Sequence, residues 1–246
     1  MKRPGWEFYL GLFLVILSAV LYSFHFLIFH DLHHIFIYLV GDVAFVPIEV
    51  LLVTLIIHRV LGLREKRSRM EKLNMVIGAF FSELGTELLA YLSNFDPELD
   101  NIKEELVIES DWTEEEFDRV KKCLKGHNFT IDIRKVDLER LKKLLLRKRV
   151  LLMNLIENQN VLEHETFTDL LWATFHLSEE LASRKSLEGL PDTDLDHLGV
   201  DSKRSYKLLV NEWLDYMEHL KANYPYLFSL AMRTNPFDDD ASPIVG

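Results

Sequence analysis

One stretch constrains this chain more than any other: Phe36 to Leu61, FIYLVGDVAFVPIEVLLVTLIIHRVL. A helix crosses a bilayer core with roughly 20 mostly apolar residues, at about 1.5 Å of rise each. The stretch is long and apolar enough for that, yet Asp42, Pro47 and Glu49 lie inside it. Trp6–Phe29 meets the same requirement just before it. The first run is too long for a cleaved signal peptide, no small-residue cleavage site follows, and a second span comes at once. The sequence therefore predicts a transmembrane hairpin over residues 1–63, with spans at about 6–29 and 36–61.

Charge sets the expected orientation. Lys2 and Arg3 precede the first span, and Arg59, Arg64, Lys66, Arg67, Arg69 and Lys72 follow the second. The connecting turn, His30 to Ile35, holds no Lys or Arg. By the positive-inside rule both termini lie in the cytoplasm of a multi-pass cell-membrane protein. The basic run after the second span favours anionic lipid headgroups, with Arg64, Lys66, Arg67 and Arg69 as their contacts.

Asp42 and Glu49 are close to two full helical turns apart and so share a face, with Pro47 predicted to kink the helix between them. An acid at the bilayer centre costs about 2.5–3.5 kcal/mol on insertion scales, so such groups turn to a partner helix or water. The first span offers a matching line of Gly11, Ser18, Tyr22 and His25. A turn centred near His33 would set His25 opposite Asp42, Ser18 opposite Glu49, and Glu7 near Arg59. Glu49 and Asp42 then read as lining residues of an ion or proton path, with Ser18, Tyr22 and His25 as partners. Two helices cannot enclose a path, so this reading requires a homo-oligomer. The alternative is that the same pairs only fasten the hairpin, leaving a non-conducting anchor, sensor or interaction scaffold.

Beyond the hairpin the composition is that of an ordinary soluble domain. Residues 1–72 hold eight Lys/Arg and six Asp/Glu of the 28 and 39 in the chain, leaving 20 and 33 for residues 73–246, a net charge of −13. That balance argues against nucleic-acid binding, which wants a basic footprint. The single cysteine, Cys123, excludes an intramolecular disulfide and the usual cysteine-rich zinc sites. No phosphate loop, nucleophile elbow or repeat occurs, so no catalytic motif points to an enzyme.

Helical periodicity dominates residues 64–234, predicting an all-α cytoplasmic bundle that starts directly from the second span. Thr113 and Glu116 form a capping-box pattern for a helix ending at Gly126. Further helices are expected over Val136–Glu157, Leu162–Ser183 and Ser202–Asn223, with a break near Gly199 and a short helix from Pro225. Asn128–Ile133 alternates briefly and reads as loop or a minor strand pairing. Residues 235–246 read as a disordered tail.

Two groups of residues carry metal-ligand chemistry. The outer turn supplies His30, His33 and His34, imidazoles suited to zinc or copper. In the bundle, Glu165, Asp169, His176 and Glu179 step along one helix and Glu212, Asp215 and His219 along another, as in carboxylate–histidine sites of metal-binding bundles. The paired Glu-x-x-His motif is absent, and a solvated polar face gives the same pattern.

Overall fold

The computed structural model describes residues 6–244, and every regular element among them is helical. The order is α1 (Trp6–Phe29), α2 (Leu32–Phe80), a π-turn (Phe81–Gly85), α3 (Thr86–Ser93), two 3-10 turns (Leu99–Asn101 and Glu104–Leu106), α4 (Glu114–Gly126), α5 (Leu138–Arg147), α6 (Arg149–Ile156), α7 (Gln159–Leu162), α8 (Glu165–Ser183), α9 (Asp192–Asn223) and α10 (Pro225–Arg233). The chain divides into two compact units, Met1–Lys66 and Arg67–Gly246, and α2 contributes to both.

The first unit is a hairpin of two apolar helices whose side chains are almost all exposed. Phe8–Phe29 and Leu32–Leu63 are long and apolar enough to cross a membrane by length and composition, and neither is buried. Met70–Ser93 meets the same test, but half of its apolar window is buried in the second unit.

The second unit holds the buried core. Its centre is the antiparallel pair α8–α9, where Leu170, Leu171, Leu177, Leu198, Leu209 and Leu214 are fully buried. Helices α3, α4, α5, α6 and α10 pack around that pair. At the π-turn, Phe80 and Phe81 are driven into this core with their rings edge to face, 5.3 Å apart. Gly85 is required there. A Cβ on it would stand 2.6 Å from Phe81 Cδ1 and 2.7 Å from Phe80 Cε1.

The capping box at Thr113 and Glu116 forms both of its hydrogen bonds and opens α4. Three other expectations are corrected, and one is narrowed. Residues 136–157 form two helices, because Lys148 leaves helical geometry at φ −105° and ψ 8°. Next to that break, Arg147 and Lys148 bind Glu87 and Glu83 at 2.8 and 2.7 Å. The break expected near Gly199 is absent, and α9 runs unbroken for 32 residues. A single glycine costs a helix only about 1 kcal/mol, which the tertiary context of a long helix readily offsets. Of the two readings of residues 128–133, the loop holds: Asp132 N–H donates to Phe95 O at 2.8 Å and Phe129 is buried. The tail is ordered where it meets the core. Asn235 donates to Leu106 O at 2.8 Å, and Phe237 packs on Trp213 with ring centroids 5.1 Å apart.

Candidate functional site

In the hairpin, the reversal takes two residues. His30 adopts a φ of 53°, a left-handed conformation that histidine tolerates better than branched residues do. Asp31 then caps α2, its Oδ1 accepting from His34 N–H at 3.1 Å. The predicted turn was longer, so the facing pairs are displaced by roughly two helical turns. His25 stacks on His34, with centroids 6.0 Å apart and planes within 3°, rather than facing Asp42. His34 in turn packs on Tyr38 at 4.6 Å.

The expected polar side chains nevertheless collect. Ser18, Tyr22, His25, His34, Tyr38 and Asp42 line one groove of about 590 Å³ between α1 and α2. Glu49 is not among its lining residues, so the predicted Ser18–Glu49 pairing is replaced by Ser18 and Asp42 in one groove. Asp42 and Glu49 are both exposed and make no hydrogen bond or ion pair among the described residues. Helix α2 continues through Pro47. The side chains of Glu7, Arg64, Lys66, Arg67 and Arg69, and residues Lys2 and Arg3, lie outside the described residues.

The bundle constellation does not assemble as the sequence suggested. Glu165 and Asp169 are exposed, and Glu179 is engaged by Arg149 at 2.5 Å. Glu212 is buried, and that burial pushes its carboxyl up to about 7, moderated by a hydrogen bond from Thr166. Asp215 instead binds Lys121 at 2.6 Å, and Glu218 binds the same ammonium at 2.5 Å. His219 Nδ1 meets the side-chain amides of Asn74 and Asn223 at 3.0 and 3.1 Å, and burial lowers its pKa. In the outer turn, His30, His33 and His34 are exposed and do not converge as a ligand group.

His176 does reach other ligand-type side chains, through residues the sequence reading missed. Its Nε2 lies 3.4 Å from Asp201 Oδ2 and 3.9 Å from Glu180 Oε1. His197 Nε2 lies 3.5 Å from both Asp201 Oδ2 and Glu180 Oε2. The missed signal was a pair of four-residue spacings, His176 to Glu180 and His197 to Asp201, on either side of the Gly189–Pro191 turn.

The fold and the two sites thus define an all-helical protein with an exposed apolar hairpin and a separately cored helical unit. Its parts match family models in the same order: residues 2–61 match the MJ1433 N-terminal helical domain, and residues 69–233 match the C-terminal helical domain of "Uncharacterized protein MJ1433". The MJ1433 protein of Methanocaldococcus jannaschii is 49% identical over 239 residues, covering 97% of this chain and 96% of that protein. The chain belongs to the MJ1433 family. No solved structure matches it.

Proposed function

We propose that this chain is an integral membrane protein whose α1 and Leu32–Leu63 segment cross the cell membrane as a hairpin, both termini cytoplasmic. Copies of the hairpin associate, and their polar side chains conduct or sense ions or protons. One observation carries the reading: within the apolar stretch 36–57 of α2, Asp42 and Glu49 are exposed and unpaired among the described residues. Acids facing lipid cost about 2.5–3.5 kcal/mol each, so a bilayer drives them toward water or another copy. Asp42 shares the groove with His25, His34 and Tyr38, a set able to hold and pass a proton. Glu49 lies outside that groove and is the residue a neighbouring copy would face.

A second reading, a non-conducting anchor that presents the helical unit, draws support from the location of the buried core, all of which lies beyond residue 72. Flux measurements separate the two. Purified protein in liposomes is expected to pass protons or monovalent cations, and Asp42→Asn and Glu49→Gln to reduce that flux by about an order of magnitude. Absence of flux from the wild type, or wild-type flux from both variants, removes the conducting reading. A monomer in detergent and in bilayer discs removes the assembly.

A further inference from the structure

Outside the hairpin, the α8–α9 pair brings four ligand-type side chains to one place. His176 and Glu180 are one turn apart on α8, and His197 and Asp201 one turn apart on α9. Each pair therefore projects from one face of its helix. The turn between the helices is clasped by Arg184, which binds Asp194 at 2.8 and 2.6 Å and Glu180 Oε2 at 2.9 Å. That clasp holds the carboxylate of Glu180 in position.

The four imidazole–carboxylate spacings approach those of a coordination shell. Metal–ligand bonds of about 2.0–2.2 Å in tetrahedral geometry put neighbouring donor atoms about 3.3 Å apart. Here the imidazole Nε2 atoms stand 3.4 and 3.5 Å from Asp201 Oδ2, and 3.9 and 3.5 Å from the two oxygens of Glu180. The donor atoms of His176, Glu180 and His197 all lie within 4.8 Å of one another.

Asp201 supplies an independent observation. Its side chain is 3% exposed, and its Oδ2 accepts no hydrogen bond among the described residues, although it points between the two imidazoles. Its other oxygen, Oδ1, is 3.4 Å from Arg204 and so is oriented rather than free. A buried carboxylate oxygen without a donor is costly, and a cation at this point would satisfy it. The two imidazoles are about half exposed, which leaves an entry route.

We propose that His176, His197 and Asp201, with Glu180 as the fourth ligand, form a binding site for a divalent first-row transition cation of the zinc type. Two imidazoles with carboxylates suit zinc, iron(II) or manganese, whereas calcium and magnesium prefer shells built of oxygen. The site is independent of conduction by the hairpin, because its readout is binding alone.

The test uses the full chain in detergent, stripped with chelator and titrated by calorimetry with zinc chloride, and in parallel with manganese and anaerobic iron(II). Wild type is expected to bind one equivalent per chain of at least one of these and to unfold at a higher temperature with it. His176→Ala and His197→Ala alter half-exposed positions outside the core and are expected to weaken binding by at least about tenfold and abolish the thermal shift. Asp201→Asn is expected to do the same. His33→Ala with His34→Ala controls for the outer turn and should bind as wild type does. Substoichiometric binding of all three metals overturns the site, as does binding that survives the His176 and His197 substitutions or disappears with His33 and His34.

Discussion

The two units of this chain treat charge in opposite ways. In the unit of residues 67–246, several acids find bases: Glu83 binds Lys148, Glu87 binds Arg147, and Arg184 ties Glu180 to Asp194. Most of its large apolar side chains are buried, many of them completely. In the hairpin the apolar side chains are exposed, and Asp42 and Glu49 have no partner among the described residues. One unit completes its own hydrophobic burial and charge pairing. The other completes neither, and a large exposed apolar surface marks a site of contact with lipid or protein.

The contrast breaks most directly if the units are separated. A fragment spanning residues 67–246 is expected to stay soluble without detergent and to unfold in one cooperative transition, followed by circular dichroism. A fragment spanning residues 1–66 is expected to aggregate in water. A molten 67–246 fragment, without a thermal transition, removes the idea of a self-sufficient core. A smaller effect sharpens the same point within that core. Gly85→Ala forces a methyl group against the buried rings of Phe80 and Phe81 and is expected to cost about 1–3 kcal/mol in urea unfolding. Gly11→Ala has open space around its Cβ and is expected to be near neutral. Equal effects at both positions would dissolve the distinction between a packed unit and an unpacked one.

Elements with local causes were legible in the sequence. The apolar runs of the hairpin, the capping box of α4 and the helical periodicity of α8 and α9 each follow from residues close together in the chain. What escaped depended on long-range packing. Gly199 reads as a break, but α9 runs through it with Ile133 packed nearby, close to where a side chain at that position would lie. Asn235 and Phe237 sit in a polar, proline-containing segment, and only the carbonyl of Leu106 and the ring of Trp213 explain their order. In the hairpin, the polar residues were identifiable, but their register depended on a positive φ at His30 that composition does not signal. The site at His176 shows the same division. Its residue types and four-residue spacings were visible, whereas the pairing of α8 with α9 that joins them was not.

The remaining prediction probes a buried acid of the second unit, whose effect appears only as pH changes. Glu212 is 2% exposed, and burial raises its pKa to about 7 from an ordinary 4.5; Asp215 adds to the rise, while Thr166 and Lys121 oppose it. Below about pH 4.5 the carboxyl is protonated in folded and unfolded chains alike, and its contribution to stability is fully present. Between about 4.5 and about 7 the unfolded chain releases the proton while the folded chain retains it, so stability declines across that window. Above it the deficit levels off on the order of 1–3 kcal/mol. Glu212→Gln keeps the shape and removes the titration. Its advantage over wild type in urea unfolding should grow from pH 4.5 to pH 7 and then stay constant. A difference that does not change with pH would mean that Glu212 is ionised in the folded chain.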